Sequence, residues 1–289
     1  MESTNQINTA KAFLKKFTSM KTIPAVSTRL IIMLENEDST FQDFEEVIKI
    51  DPTLVLRVLK LVNSSYFALR TKIKKVSEAI AFIGIDNLRN LIVLDALKFL
   101  FKKDSSTEYF SRNRLWLHCA SVSICCQMIA ERIFGIKGED ASLCGILHDI
   151  GLIVEDQVAP DQFKEFYHSF IPEKHLITDH ETSIFGTNHQ VVGYLLTKDW
   201  GLSQEIQGGI RAHHKNLEKI EPESLLGILQ MAEYLVFRIE KLAYPETKTC
   251  LSSPLLGHMK KNIGEYKAIL DDLPNEIKKA EEIYSLEKE

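Results

Sequence analysis

Apolar residues recur along this chain at the three- and four-residue spacing of amphipathic helices, with few interruptions. Val55, Val58 and Val62, for instance, fall on one face of a helix that Pro52 begins and Asp51 caps. Sustained alternation of the strand type is almost absent. The pattern predicts an all-α fold.

Polar, aperiodic segments separate groups of predicted helices. Residues 102–111 form one such connector, and a stretch rich in proline and serine follows at 245–257. Ser39 and Gln42 predict a capping box at the start of an early helix. Later helices are predicted at 113–134, 139–157, 160–170, 189–199, 203–214 and 222–241. The expected organisation is an N-terminal helical part, a helical core with the candidate site, and a C-terminal loop with outer helices, at residues 1–103, 112–242 and 243–289.

The composition is that of a globular protein whose core forms without help from a metal or a disulfide. Of 289 residues, 45% are hydrophobic and 26% charged, and a chain of this length buries most of its apolar surface. A metal site would therefore serve function rather than folding. The net charge of −5 is spread along the chain, whereas nucleic-acid binders show a basic face, so no nucleic-acid partner is expected.

The cysteines and the start of the sequence favour a reduced, cytoplasmic protein. The cysteines form no CxxC pair, and most lie in apolar helical stretches, where a free thiol packs as a small hydrophobe; they are Cys119, Cys125, Cys126, Cys144 and Cys250. No signal-peptide pattern is visible, and the most apolar stretch, 88–101, is too short and too charged to span a bilayer. We expect no membrane partner.

The candidate chemistry centres on His148 and Asp149, in the run Leu-His-Asp-Ile-Gly. An imidazole beside a carboxylate that can bridge two cations suits a hard or borderline divalent metal. Gly151, inside the same apolar run, is expected to permit close approach of another helix. Further candidate ligands lie upstream and downstream, in the order His118, His189, His213, His214 and Glu233.

This order resembles the ligand order of the HD superfamily of metal-dependent phosphohydrolases, and the closer resemblance is to the HDOD family. The segments similar to that family's signatures extend over about residues 20–217, and include Ile23–Val26, Ile50–Leu54, Leu61–Phe67 and the stretch from Glu181 to His214. The resemblance implies an all-α fold with the metal site in its C-terminal helices. It also implies a bacterial signalling setting.

The resemblance further implies how metal is held. Two divalent ions are expected, one on His118, His148, Asp149 and Glu233, the other on Asp149, His189, His213 and His214. Nitrogen and oxygen ligands without thiolate favour iron or manganese, although zinc or another divalent ion can also use them. Some relatives carry an extra carboxylate ligand where this chain has Arg114, and arginine cannot coordinate a metal, so at most two ions are predicted.

Two departures from the related HD-GYP phosphodiesterases bear on hydrolysis. Those enzymes typically have lysine after His-Asp-Ile-Gly, where this chain has Leu152. Their Gly-Tyr-Pro loop should follow the paired histidines, but residues Lys215–Glu223 do not contain it. The preferred interpretation is a regulatory, non-hydrolytic binding module whose partner is a signalling protein or a small phosphorylated ligand.

Other interpretations remain open from the sequence. A metal-dependent phosphohydrolase could act on a phosphate ester or nucleotide if Arg114, Lys198 or Arg211 supplied the missing cation. A fossil site, in which the same polar residues only hydrogen-bond to one another, would bind no metal. A nucleic-acid-binding regulator has the acidic composition against it.

Overall fold

In the computed structural model, the described residues are 3–19, 38–63, 72–84, 110–239 and 251–285, with the single positions 26, 29, 30, 33 and 88. Regular secondary structure across these ranges is helical, and they contain no β-strand. The prediction of an all-α fold is confirmed. Cys250 and most of the predicted connector, residues 102–109, lie outside the described residues.

The chain forms two compact units, residues 1–22 with 101–273 and residues 23–100 with 274–289. The second unit contains α2 (Phe41–Ile48), α3 (Pro52–Val62) and α4 (residues 76–84). The first unit contains α1 (Thr4–Ser19), α5 (Arg112–Arg132), α6 (Glu139–Leu147), α7 (Ile150–Val158), α8 (Pro160–Ser169), α9 (Ile177–Phe185), α10 (His189–Asp199), α11 (Gln204–Ala212), α12 (Leu225–Ile239) and α13 (Ser253–Lys261). The last helix, α14 (Ile263–Ser285), contributes its residues up to 273 to the first unit and the rest to the second.

The two units follow a different division from the one expected along the sequence. Residue 101 lies close to the expected boundary at 103–112, but residues 1–22 group with the later part of the chain and residues 274–289 with the earlier part. Helix α1 packs against α7 and α10, with Leu14 and Phe17 buried. Its Gln6 side chain donates to the Thr182 hydroxyl at 3.3 Å, and the Lys16 ammonium donates to the Val158 carbonyl.

The cap of α2 differs by one residue from the predicted one. The hydroxyl of Thr40, not Ser39, accepts a hydrogen bond from the backbone N–H of Asp43, whose carboxylate accepts from the backbone N–H of Thr40 at 2.8 Å. A carboxylate is favoured over the Gln42 amide here because its charge complements the positive end of the helix dipole. The prediction of Asp51 as the cap of α3 is confirmed, since its carboxylate accepts from the backbone N–H of Leu54 at 3.3 Å.

Glycines let the helices of the first unit meet at their backbones. A Cβ added at Gly145 of α6 would lie 2.7 Å from Cα of Ser123 on α5. At Gly151 of α7 an added Cβ would lie 2.1 Å from the carbonyl oxygen of His189, the first residue of α10. No side chain fits at that distance, so the expected close approach at Gly151 is confirmed.

The helix predicted at 139–157 is broken in two by a turn at His148 and Asp149. The His148 ring donates from Nδ1 to the Gly145 carbonyl at 2.7 Å, which satisfies an oxygen of the last turn of α6. Asp149, with φ of −103° and ψ of 12°, leaves the helical conformation, and α7 starts at the next residue. The break lies at the two residues on which the predicted chemistry depends.

Helix α9 was absent from the sequence prediction. Its positions 177, 181 and 185 are four residues apart and buried, but the middle one is Glu181. An acidic residue on the buried face disrupts the apolar spacing by which a helix is recognised. The helix ends at Gly186, whose φ of 74° lies in the left-handed region that favours glycine.

Candidate metal centre

The structure brings the predicted ligands together from helices that are distant in the sequence. His118 lies on α5, Glu233 on α12, and His189 is the first residue of α10. The others come from two helix ends, His148 and Asp149 between α6 and α7, and His213 and His214 directly after α11. The side chains span more than a hundred residues of sequence, and all of them meet at one place.

The ligand atoms fall into two sets, and Asp149, which was expected in both, belongs by a distance limit of 4.8 Å to the second. We call the first the His118 set; its atoms lie within 4.8 Å of one another, and its members are His118, His148 and Glu233. The His189 set meets the same distance limit, and its members are Asp149, His189, His213 and His214.

Asp149 lies between the two sets. Its Oδ1 is 3.6 Å from Nε2 of His189 and 3.5 Å from Nε2 of His213. Its Oδ2 is 3.1 Å from Nε2 of His148 and 3.9 Å from Nε2 of His118. One carboxylate oxygen therefore faces each set, as a bridging ligand requires.

Hydrogen bonds orient three of the imidazoles in the same way. Nδ1 of His148 donates to the Gly145 carbonyl at 2.7 Å, and Nδ1 of His213 donates to the Ile210 carbonyl at 2.8 Å. A carbonyl oxygen can only accept, so Nδ1 carries the proton in both rings. Nδ1 of His189 lies 2.7 Å from the Glu181 carboxylate, which accepts in the same manner. In a neutral ring this leaves the Nε2 lone pair directed at the cluster.

The facing Nε2 atoms repel each other unless a cation or a proton lies between them. Nε2 of His189 and Nε2 of His213 are only 3.2 Å apart, and neither is a donor while its ring is neutral. Two imidazole nitrogens bound to one ion at about 2.0–2.1 Å lie about 3 Å apart, so the spacing fits a shared metal. In addition, Oε2 of Glu233 is buried and has no hydrogen-bond partner within the described part of the chain.

Burial and neighbouring charges shift the pKa values of the side chains around Asp149. Burial raises the pKa of Asp149, but the charge and hydrogen bond of His148, followed by the hydrogen bond of His213, outweigh it and hold the pKa well below its usual value. Burial lowers the pKa of His148, but Asp149 and then Glu233 raise it to about 9. Burial lowers the pKa of His189 to about 4, so that ring is neutral. Without metal, a proton on Nε2 of His148 therefore lies where a cation would bind.

The sequence profile of the HDOD domain family matches residues 20–216. This chain belongs to the HDOD family. It is 27% identical over 200 residues to an uncharacterised protein of Treponema pallidum, a match that covers 66% of this chain and 37% of that protein. The chain thus spans little more than a third of the length of that relative.

Solved structures share the fold. An HDOD domain protein of unknown function from Geobacter sulfurreducens is 22% identical, with a TM-score of 0.64 covering 93% of this chain and 98% of its own. A provisionally named phosphohydrolase from Shewanella amazonensis SB2B is 24% identical, with a TM-score of 0.62 and coverage of 91% and 98%. A provisionally named signal transduction protein from Marinobacter aquaeolei VT8 is 20% identical, with a TM-score of 0.69 and coverage of 91% and 58%.

One buried glutamate, Glu181, supports His189 and a second, Glu155, lies near Glu181; the sequence predicted neither position. Glu181 is fully buried and accepts from Nδ1 of His189 at 2.7 and 2.8 Å through its two oxygens. Glu155 of α7 is also fully buried; burial and the Glu181 charge raise its pKa well above the usual value. Burial likewise raises the pKa of Glu181. An acid on the buried face of α9 was the signal that could have identified Glu181.

The candidate anion-binding residues lie in different surroundings. The Arg211 guanidinium is half-buried and stacks 4.5 Å above the Tyr194 ring. Lys198 and Arg114 are exposed. Burial raises the pKa of the Tyr167 hydroxyl to about 12, and the positive charge of Arg114 partly opposes this rise. Arg114 therefore interacts electrostatically with the Tyr167 hydroxyl. Anion binding by these residues stays a prediction.

No helix in the described ranges of the chain combines the length and the apolar character that crossing a bilayer requires.

Proposed function

We propose that this HDOD protein binds two divalent metal ions and acts in signalling as a non-hydrolytic binding module. The observation that carries the metal proposal is the 3.2 Å separation of Nε2 in His189 and His213. Each ring has its Nδ1 beside an acceptor, so both lone pairs are directed at the same point. In a buried cluster, that arrangement is stabilised by a cation.

In this proposal each set holds one ion. Asp149 contributes Oδ2 to the first ion and Oδ1 to the second. The ligands supply only nitrogen and oxygen within the two sets, which suits iron, manganese or zinc. The ions would neutralise the buried carboxylates and supply Lewis-acid positions for an anionic group. Glu181 and the carbonyls of Gly145 and Ile210 would hold the imidazoles in place by accepting hydrogen bonds from their Nδ1 atoms, on the side away from the ions.

The non-hydrolytic part of the proposal is supported by the surroundings of the ligands. Leu152, which follows Gly151, is fully buried and carries no charge. Phosphoryl transfer usually needs cationic help from the protein in addition to metal. The candidate substitutes are engaged elsewhere or exposed, since Arg211 stacks on Tyr194 and Lys198 faces solvent. We propose a signalling partner or a small phosphorylated ligand as the molecule that is bound, in a cytoplasmic, bacterial setting.

One observation favours a second candidate, a metal-dependent phosphohydrolase acting on a phosphate ester or nucleotide. Asp149 presents one oxygen to each ligand set, and paired ions bridged in this way are typical of hydrolases that displace a phosphate ester. The Shewanella relative whose fold matches is provisionally named a phosphohydrolase.

The proposal is tested by metal analysis and hydrolysis assays on the full chain without a histidine tag. We expect about two ions per chain, and no turnover of bis-p-nitrophenyl phosphate or cyclic dinucleotides above the metal-free protein after loading with iron, manganese or zinc. Turnover that requires metal and is abolished by Asp149→Asn would select the hydrolase. A protein that binds none of these ions would instead have a fossil site.

Glu181→Gln is expected to weaken metal binding about 10-fold or more, because loss of the carboxylate that accepts from Nδ1 lowers the basicity of His189. Competition with a chromogenic chelator measures the affinity. Asp179→Asn changes an exposed acid on the same helix and should leave the affinity unchanged. Equal affinities in the two variants would show that Glu181 only packs.

A further inference from the structure

Cys119 lies at the metal centre, although its sequence context indicates only a packing role. Its side chain is fully buried, and Sγ, a ring nitrogen of His148 and a carboxylate oxygen of Asp149 lie within 4.8 Å of one another. Other described cysteines are equally buried but belong to no such group among the described residues; they are Cys125, Cys126 and Cys144. Burial therefore does not distinguish Cys119, but its neighbours do.

The position of Cys119 on α5 explains how it reaches the cluster. Leu115, His118, Cys119 and Val122 follow one another at helical spacing, so they lie on one face of the helix. That face packs against α6 and α12, which lead to His148 and carry Glu233. His118 and Cys119 can therefore both approach the turn that contains His148 and Asp149.

A second, independent observation indicates that a ligand belongs at this point. Oε2 of Glu233, on the helix α12 that packs against α5, is buried and has no hydrogen-bond partner within the described residues, whereas Nε2 of His148 lies 3.1 Å from Oδ2 of Asp149. A buried polar atom without a partner is unfavourable unless a cation or another group completes it. The same His148 belongs both to the His118 set and to the group that contains Cys119.

We propose that Cys119 is a metal ligand, which supplies a thiolate to the ion held by His148 and makes that position selective for thiophilic ions. The proposal rests on the metal centre proposed above and adds a ligand to it. A sulfur and a nitrogen bound to one tetrahedral ion are about 3.6 Å apart. Sγ of Cys119 and the ring nitrogen of His148 lie no more than 4.8 Å apart, so they need to approach each other by about 1 Å at most. A rotation of the thiol side chain can supply that movement.

Ligation by Cys119 changes both the proton balance and the choice of metal. The thiol proton leaves to solvent when the sulfur–metal bond forms, so each ion bound there releases one more proton than oxygen and neutral imidazole ligands alone would. Thiolate favours zinc, cobalt and iron(II) over manganese and magnesium.

Cobalt(II) loading of the full chain tests the proposal, because cobalt reports its ligands by absorption. We expect visible d–d bands from bound cobalt and a near-ultraviolet sulfur-to-cobalt charge-transfer band in the natural protein. Cys119→Ser should lose the charge-transfer band, and its affinity for zinc relative to manganese should fall about 10-fold or more. Cys125→Ser, a buried thiol later on the same helix, is the matched control and should keep the band.

The outcomes separate this proposal from the one on which it rests. Visible cobalt bands without sulfur charge transfer in the natural protein would overturn ligation by Cys119 and leave the metal centre intact. Absence of bound cobalt, zinc, iron and manganese would overturn both. If Cys119→Ser fails to fold, X-ray absorption of the zinc-loaded natural protein still decides, because a thiolate ligand gives a sulfur scatterer at about 2.3 Å.

Discussion

Gly151→Ala is expected to lower the free energy of unfolding by about 3 kcal/mol, at the upper end of the range for overpacked cores. The added methyl group would lie 2.1 Å from the carbonyl oxygen of His189 and 2.7 Å from its Cα. Both obstacles are backbone atoms, so no side-chain rotation relieves the contact, and α7 and α10 must move apart. Denaturant unfolding of metal-free protein measures the effect, because bound metal would add its own stabilisation.

Gly208→Ala is the matched control for that substitution. Gly208 lies in α11 and is exposed, and an added Cβ there meets no atom within 4 Å. Alanine in a helix is favoured over glycine by about 0.5–1 kcal/mol, so this variant should be slightly more stable than the natural protein. If Gly151→Ala were as stable as Gly208→Ala, the close approach of α7 to His189 would be wrong.

Asp149→Asn is expected to reduce the metal content from about two ions per chain to almost none. Asparagine keeps the shape of the side chain but removes the charge that faces both ligand sets. The oxygens of Asp149 lie 3.1 to 3.9 Å from the Nε2 atoms of four histidines, so one substitution removes an anionic ligand from each position. Elemental analysis of protein without a histidine tag gives the stoichiometry.

Two further variants make the Asp149 result specific. Glu233→Gln changes only the His118 set and should leave about one ion per chain. Asp199→Asn removes an exposed acid at the end of α10 and should leave the full metal content. Full metal content in Asp149→Asn would contradict the bridging role, whereas loss of a single ion would place Asp149 in one set only.

The fold class and the members of the site could be predicted from the sequence because each depends on local spacing or on order along the chain. Helical periodicity identified α5, α8, α10, α11 and α12 to within a few residues. The order of histidines and acids identified side chains that the structure then placed together. Gly151 could be predicted to lie at a close helix contact because glycine inside an apolar run has no other packing advantage.

The limits of the sequence appear where a residue's role depends on a partner from another helix. Cys119 and Cys125 both lie buried in the same helix, and it is the short distance of Cys119 from His148 and Asp149 that distinguishes it. Glu181 on α9 has no local feature that indicates His189 as its partner, and its buried position also hid the helix that carries it.

The sequence by itself determined that this protein is helical, that it belongs with the HDOD proteins, and which residues could bind metal. Only the tertiary structure decided that Asp149 faces two ligand sets, that acceptors at Nδ1 direct Nε2 of His148, His189 and His213 to the centre, and that α1 packs on the helices of the site. The physical reason is that helical spacing fixes which side chains share a face. Which faces meet depends on packing between segments far apart in the chain, and on backbone contacts as close as that of Gly151 with His189.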